Sequence, residues 1–234
     1  MRAVVLQSNY LPWRGYFDLI NSADVFVYYD EVQYTKNDWR NRNRICSKNG
    51  VHWLTIPIGR DAVKKKVSEV QLPDAAWQQT HFRTLSYSYR QARHFQQVEP
   101  LLTDFYKART WDRLSELNRH CIESITRLLG ISTTFRDSKD YLLEGDRIQK
   151  LIGLLQQVGA TEYLTGPSAR AYLAGHEDAF GRAGISLVFK SYDGYREYPQ
   201  LHSPFEPSVS IVDLLANVPL SECTRYLSST QSTT

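Results

Sequence analysis

Apolar residues follow two patterns along the chain, and the order of these patterns predicts the fold. Short runs rich in β-branched and aromatic residues predict strands. Longer segments in which apolar residues recur every three or four positions predict helices. The predicted strands are residues 4–7, 24–30, 52–58, 132–137, 162–165 and 186–191. The predicted helices are residues 15–21, 75–95, 98–107, 111–129, 146–158, a helix-like segment after 166 and a last helix from 210.

Strands that alternate with helices predict an α/β fold with a mostly parallel, Rossmann-like sheet and helices on both of its faces. A turn at 47–50 predicts a hairpin over 44–58. The largely helical segment 75–130 is expected to be an insertion in that sheet or a cap on it. We expect one α/β domain over residues 1–227, followed by a flexible tail at 228–234.

Candidate capping residues mark the ends of three predicted helices. Asp146 is a candidate N-cap, and Gly159 is suited to close the same helix. Gly130 is suited to end the preceding long helix. Ser210 is a candidate N-cap for the last helix, with Asp213 three positions later as a capping-box variant.

Composition narrows the class of protein without identifying its function. The 234 residues are 42% hydrophobic and 23% charged, which is ordinary for a soluble globular protein with a full core. A formal net charge of +3 is too small to indicate nucleic-acid binding by itself. No window approaches 18 apolar residues, and the first residues lack the apolar core of a signal peptide, so we expect a cytoplasmic protein without a membrane span.

Cysteine and aromatic content add two further expectations. The three cysteines are far apart, and the six histidines have no metal-ligand spacing, so neither disulfides nor a metal site is predicted. Fifteen tyrosines and five tryptophans are unusual beside a single methionine. Such side chains line ligand sites, although half-buried core and interface positions are the other explanation.

The first candidate site follows the first predicted strand, where a ligand of an α/β sheet usually binds. Its backbone amides and short polar side chains suit an anion or a sugar hydroxyl, and its tryptophan offers a stacking face. A well-capped turn with a buried tryptophan is the alternative. The candidate binding residues are Gln7, Asn9, Tyr10 and Trp13.

The second candidate site follows the second predicted strand and is rich in arginine and asparagine. Guanidinium groups match phosphate and carboxylate oxygens, and three of the arginines would share one face of an extended segment. A solvated edge strand protected by charge is the alternative. The candidate binding residues are Gln33, Lys36, Asn37, Trp39, Arg40, Arg42 and Arg44.

Two later segments complete the set. Gly166 and Ser168 lie between a predicted strand and a helix, where free backbone amides can face an anion. Gln200 and Ser210 lie near the start of the last helix, although capping alone could explain Ser210. The chain has no G-x-S-x-G elbow, so the candidate general bases are acidic residues at the predicted site, and we favour Asp30 and Asp213 over Glu31.

These segments resemble the WbqC-like protein family over about residues 3–220. The most specific are 6–18 (LQSNYLPWRGYFD) and 30–44 (DEVQYTKNDWRNRNR), and 53–57, 163–168, 198–200 and 210–215 also agree. The resemblance implies a bacterial cytoplasmic protein, often associated with O-antigen or other surface polysaccharides, but no assigned reaction. Many relatives have a histidine where this chain has Leu6, so a catalytic role of that histidine is not open to this chain.

The first elbow also looks like the start of nucleotidyltransferases of the HIGH class, which implies a nucleotidyltransferase-like sheet. The histidine pair of that class is missing, because residues 13–16 read WRGY. This departure weakens the hypothesis that the reaction is nucleotidyl transfer. It does not weaken the expectation of a nucleotide-binding fold.

The main functional hypothesis is an enzyme that transfers a small group on a nucleotide-linked amino sugar in surface-polysaccharide synthesis. The ligand would be a small anionic molecule, and the sequence does not identify a cofactor. The first alternative is a non-catalytic binding or scaffold protein of the same pathway. RNA binding through the arginine-rich segment is a more distant alternative, and a homo-oligomer is left open.

Overall fold

The centre of the molecule is a parallel sheet, seen in a computed structural model that describes residues 1–228. Five strands within this range form the sheet in the order β5-β2-β1-β6-β7, and every neighbouring pair is parallel. The prediction of an α/β Rossmann-like fold is confirmed. The strands of the sheet are β1 (Arg2–Leu6), β2 (Val25–Tyr28), β5 (Thr134–Asp137), β6 (Glu162–Thr165) and β7 (Ser186–Phe189).

A hairpin and several helices surround the sheet. The hairpin consists of the antiparallel strands β3 (Arg42–Ser47) and β4 (Gly50–Thr55), so the hairpin prediction is confirmed with earlier boundaries. The longer helices are α1 (Arg14–Asn21), α2 (Ala76–Tyr89), α3 (Glu99–Tyr106), α4 (Leu114–Leu128) and α5 (Arg147–Val158). The shorter helices are α6 (Arg170–Leu173), α7 (Glu177–Arg182), α8 (Ile211–Asn217) and α9 (Leu220–Cys223).

Side chains of the central strands alternate between the two faces of the sheet, as extended backbone requires. In β1, Val4 belongs to a core shared with α1, α4 and α8, whereas Ala3 and Val5 belong to a core shared with α5, α6 and α7. In β2, Phe26 belongs to the same core as Val4, and Val27 belongs to the same core as Ala3 and Val5. The sheet is therefore covered on both faces by helices.

The order of the strands creates one point where the chain reverses direction across the sheet. From β1 the chain moves outward to β2 and β5, and it then returns to the other side of β1 to form β6 and β7. In open parallel sheets, the carboxyl ends of the two strands at such a switch point border a ligand crevice. Here these strands are β1 and β6, which are followed by Gln7 and Gly166.

The helical segment 75–130 has two parts that relate differently to the sheet. Its last helix, α4, leads directly to β5 and buries Leu117, Cys121 and Ile125 against the core that contains Val4. It is therefore the crossover helix between β2 and β5. The helices α2 and α3 precede it and pack on each other, and α2 also packs on β3. The division into one domain over 1–227 stays a prediction.

The predicted caps show how local signals and tertiary contacts compete. Asp146 accepts hydrogen bonds from the second and third amides of α5 in a capping box, and Gly159 closes the helix with a left-handed φ of 82°. Ser210 caps α8 through the amide of Val212. The capping-box role of Asp213 is wrong, because its carboxylate bonds to side chains outside the helix.

Boundaries differ most where apolar periodicity continues past the end of an element. The helix predicted over 75–95 ends at Tyr89, and the segment after residue 166 forms a short 3-10 turn before the four-residue α6. Of the predicted flexible tail, Ser228 is exposed, and residues 229–234 lie outside the described residues.

Candidate functional site

Three predicted side chains meet at the carboxyl end of β1, and we call Gln7, Asn9 and Arg40 the elbow cluster. The Arg40 guanidinium donates to Oε1 of Gln7 at 2.9 Å and to Oδ1 of Asn9. A guanidinium can only donate, so both amide side chains must turn their oxygens toward it. Their NH2 groups then face away from Arg40. The cluster therefore combines one cation, which also pairs with the Asp38 carboxylate at 3.4 Å, with two further donors that suit an anionic ligand.

The backbone of this elbow is held from several sides. The Asn43 amide donates to the carbonyl oxygens of Tyr10 at 3.1 Å and Leu11 at 2.8 Å. Tyr16 donates to the carbonyl of Gln7 at 2.9 Å. Leu11 has a φ of 40°, a conformation that costs an ordinary residue on the order of 1–3 kcal/mol. The surrounding hydrogen bonds maintain this strained turn, which fixes the positions of the residues on either side.

Tyr10 does not face the candidate site. Its side chain is fully buried, and its hydroxyl lies 2.7 Å from Nδ1 of His81 and also contacts the hydroxyl of Tyr106. Nε2 of His81 donates to the Thr55 carbonyl at 3.1 Å, so Nδ1 accepts the proton of Tyr10. Burial lowers the pKa of His81 to about 4 and keeps it neutral. The predicted binding role of Tyr10 is not supported, because α2 and α3 cover the ring.

Trp13 lies beside the switch point and fills space above α1. Its indole ring packs edge-on against Tyr192 at a centroid distance of 4.9 Å. A Cβ on Gly15 would lie 2.3 Å from the same indole, so glycine is needed there. The hydroxyl of Tyr192 in turn lies 3.0 Å from the position that a Cβ on Gly166 would occupy. Trp13, Tyr192 and Gly166 therefore form one continuous wall, and the neighbouring Ser168 is exposed.

The loop that supplies Tyr192 is anchored by a buried arginine. The Arg14 guanidinium, only 3% exposed, donates to the Arg196 carbonyl at 2.6 Å and stacks on Tyr195 and Tyr198 at 4.9 and 5.4 Å from the ring centroids. Burial lowers its pKa from the usual value, and nearby acidic groups oppose that shift. This arginine positions the loop and does not face a ligand.

The arginines of the second elbow do not converge. Arg42 and Arg44 share the outer face of β3, as predicted, whereas Arg40 precedes the strand and joins the elbow cluster. Arg42 stacks on Trp53 at 4.2 Å from the ring centroid and donates to the Asn37 carbonyl. Arg44 donates to the Ser208 carbonyl at 2.9 Å. The three guanidinium groups therefore have separate partners and do not meet at one point.

The remaining residues of the second elbow lie on the surface beside the hairpin. Trp39 is 40% exposed and lies against Trp53, 45% exposed, at a centroid distance of 5.3 Å. Gln33 donates to the Val63 carbonyl at 2.7 Å, and Lys36 and Asn37 are exposed in the connecting loop. Trp39 lies next to the elbow cluster because it precedes Arg40 in the chain and its carbonyl accepts a hydrogen bond from the Tyr10 amide. The neighbouring Asp38 also contacts the cluster, since its carboxylate lies 3.4 Å from the Arg40 guanidinium.

Asp30 is completely buried at the carboxyl end of β2. Its Oδ1 accepts the Ser8 amide at 2.8 Å, and its Oδ2 accepts Nε of Arg119 at 2.8 Å. Burial raises the pKa of Asp30, and the Arg119 guanidinium opposes that shift. A general base must come within hydrogen-bond reach of the substrate. With no exposed oxygen in this conformation, Asp30 is placed to position the first elbow and not to contact a ligand.

Asp213 is also buried, 1% exposed, and among the described residues no cation forms an ion pair with it. Its Oδ1 accepts hydrogen bonds from the hydroxyl of Tyr198 and the amide of Gln200, both at 2.9 Å. Burial raises the pKa of Asp213, and these donors oppose that shift. Gln200 belongs to this hydrogen-bond network, and Ser210 caps α8. Asp213, Gln200 and Ser210 are therefore all bonded within the protein, and none of them faces the elbow cluster as a free group.

Several charged residues of the sheet edge escaped the sequence analysis. Arg119 on α4 binds both Asp30 and Asp137, the last residue of β5. The carboxylate of Asp18 on α1 accepts a hydrogen bond from Nζ of Lys190 at 2.7 Å. Lys190 directly follows β7. Charges that follow strands β5 and β7 could have been found by treating every strand end as a site. A cavity of about 250 Å³ at this edge is lined by Tyr28, Arg119, Glu123, Phe135, Arg136, Asp137 and Asp140.

Two kinds of feature, a metal-binding cluster and a membrane-spanning helix, were sought among the residues that the structure describes. No group of three or more histidine, cysteine or acidic residues within residues 1–228 is arranged to hold a metal ion. In the same range, every helix is too short or too polar to cross a membrane.

Comparison with known proteins gives the family. The model of the WbqC-like protein family matches residues 7–224. The uncharacterized protein Rv1507c of Mycobacterium tuberculosis (strain ATCC 25618 / H37Rv) is 44% identical over 218 residues, 93% of this chain and 94% of the relative. No solved structure matches this chain. Since the family match spans almost the whole chain and includes both elbows, the protein belongs to the WbqC-like protein family.

Proposed function

We propose that this protein is a group-transfer enzyme that binds a nucleotide-linked amino sugar at the carboxyl edge of the sheet, in bacterial surface-polysaccharide synthesis. The elbow cluster carries the proposal, because a cation and two amide donors lie together at the switch point of a doubly wound sheet. That is where such folds bind nucleotides, through donors that face phosphate oxygens.

The proposed roles follow from position. Arg40 and the NH2 groups of Gln7 and Asn9 hold the phosphates, and the backbone amide of Ser168, which follows Gly166 and Pro167 after β6, is a further donor for them. Trp39, exposed beside Arg40, offers a face on which a base or sugar can stack. Asp30 acts as a positioning residue by holding the Ser8 amide.

A non-catalytic nucleotide-binding protein of the same pathway is the second candidate. The observation that favours it is the burial of both candidate bases, because Asp30 and Asp213 are 0% and 1% exposed and accept hydrogen bonds from neighbouring residues. An enzyme would need a small opening movement or a base supplied by its substrate to overcome this arrangement.

Both candidate functions require that the protein binds a nucleotide sugar, and thermal unfolding in the presence of nucleotide sugars tests this binding. UDP-N-acetylglucosamine and dTDP-glucose are suitable probes. At 100 times its dissociation constant, a ligand of the native state adds about 2.7 kcal/mol to the free energy of unfolding. Arg40→Ala is expected to abolish this stabilisation. Arg127→Ala, which removes an exposed guanidinium from α4, is the matched control and should preserve it.

Phosphorus NMR of the same mixtures then separates the two candidates. Consumption of the nucleotide sugar in the presence of an acceptor sugar supports the enzyme, whereas binding without consumption supports the second candidate. Absence of any stabilisation by millimolar nucleotide sugar would contradict both.

A further inference from the structure

A second polar cavity lies at the tip of the hairpin, and we call it the tip cavity. It is an open groove of about 450 Å³ between the turn that joins β3 to β4 and one side of α2. This volume is within the range of small-molecule sites in proteins. The lining residues are Ser47, Lys48, Asn49, His52, Arg83, Thr84, Tyr87 and Ser88.

The charge of the tip cavity is of one sign. Lys48 and Arg83 are cationic, and no carboxylate is among the lining residues. Neither cation forms an ion pair with an acidic residue in the described part of the chain. Uncompensated positive charge in a concave surface attracts anions, and lysine and arginine both bind phosphate. The cavity therefore suits an anionic ligand.

Tyr87 adds a flat aromatic surface to the tip cavity. Its side chain is 55% exposed, and Nζ of Lys48 and the guanidinium of Arg90 lie 5.6 and 5.4 Å from the centre of its ring. Lys48 lowers the pKa of the phenol through a hydrogen bond. Both cations lie over the ring, so a planar base can stack on Tyr87 when its phosphate draws a cation away from the ring.

The walls of the tip cavity are held in place before any ligand binds. The Ser47 hydroxyl donates to the Gly50 carbonyl at 3.1 Å across the turn. The Cys46 amide donates to the hydroxyl of Tyr89 at 3.0 Å, which ties the hairpin to α2. A cavity that is already ordered loses little conformational entropy on binding.

We propose that the tip cavity binds a phosphorylated small molecule about the size of a mononucleotide, with its phosphate at Lys48 and Arg83 and its ring on Tyr87. The proposal is independent of the function proposed for the elbow cluster. Six-residue strands separate the two sites, because Arg42 at the base of the hairpin and Ser47 at its tip are roughly 17 Å apart along β3.

Calorimetric titration tests the proposal with inorganic phosphate and UMP as probes. The titrations use the Arg40→Ala background, in which the elbow cluster is disabled, so failure of that site does not affect the result. Lys48→Ala and Arg83→Ala are each expected to weaken binding of both probes about tenfold or more, the loss of one charge-assisted hydrogen bond. Tyr87→Leu should weaken UMP but leave phosphate unchanged.

The matched control is Arg113→Ala, which removes a half-exposed guanidinium elsewhere on the surface and should leave both affinities unchanged. Binding that persists in the Lys48 and Arg83 variants would overturn the proposal. So would the absence of binding at millimolar UMP and phosphate. Binding of single-stranded RNA without measurable binding of UMP would also overturn it, in favour of a polymer surface.

Discussion

At the residue scale, Asp213 shows how burial determines the chemistry of a carboxyl group. It lies under the surface in the first turn of α8, with Tyr198, Gln200 and Asn217 as hydrogen-bond donors. A buried carboxylate without a paired cation is costly in its charged form, which is why the pKa of Asp213 is raised. The same sequence position on an exposed helix would titrate normally.

Asp213→Asn is expected to change the pH dependence of stability. The native pKa of Asp213 lies above its unfolded value of about 3.9, so the native state binds more protons in this window. The free energy of unfolding of the wild type therefore falls as pH rises through the native pKa. The asparagine variant lacks this loss, so it should gain stability relative to the wild type as pH rises.

Urea unfolding of both proteins at a series of pH values from about 4 to about 8 measures the difference, because the loss begins above the unfolded pKa of about 3.9. Parallel profiles across this range would contradict the assignment. Asp213→Ala is the control that removes the acceptor altogether. Relative to Asp213→Asn, which also does not titrate, it should cost about 1–3 kcal/mol at every pH, because the hydroxyl of Tyr198 and the amide of Gln200 lose their partner.

At the element scale, two helical glycines have opposite roles. Gly15 in α1 lies under the indole of Trp13, at 2.3 Å from the Cβ that alanine would add. Gly153 in α5 has no atom within 4 Å of such a Cβ. The first glycine is required by a close contact, and the second only weakens its helix.

Gly15→Ala is expected to displace the Trp13 ring from Tyr192 and to destabilise the protein. Gly153→Ala should stabilise it by about 0.5–1 kcal/mol, because alanine restricts the unfolded chain and favours the helix. Thermal unfolding measures both effects, and near-ultraviolet circular dichroism reports the displaced indole. Equal effects of the two substitutions would show that Trp13 does not depend on Gly15.

At the scale of the whole molecule, one partly buried ion network joins β2 and β5 to the first elbow. Asp30 follows β2, Arg119 belongs to the crossover helix α4, and Asp137 ends β5. The Ser8 amide connects the same network to the chain after β1. The position of the first elbow therefore depends on contacts from three other parts of the fold, namely the end of β2, the helix α4 and the end of β5.

Arg119→Met is expected to cost about 3–5 kcal/mol, because it leaves a buried carboxylate without its cation. Adding Asp30→Asn removes that buried charge, so the double variant should recover most of the loss. Denaturant unfolding of the two single variants and the double variant gives the coupling energy. Strict additivity of the two effects would mean that the ion pair does not hold the sheet edge together.

The sequence by itself determined the class of fold and the place of the first elbow. Apolar periodicity and capping residues such as Asp146 act over a few neighbouring positions, so they can be read without the tertiary structure. They predicted the parallel sheet, the hairpin and the residues that follow β1. The family could be predicted as well, because the two elbows carry specific residues at fixed spacing.

Only the tertiary structure decided which of the candidate side chains meet. Arg40 reaches Gln7 and Asn9 across about thirty positions, while Arg44 turns away to a loop near the C-terminus, and no local pattern distinguishes the two arginines. Burial of Asp30 and Asp213 likewise results from packing by distant helices and loops. The physical reason is that exposure, ion pairing and pKa depend on neighbours in space, which chain order does not specify.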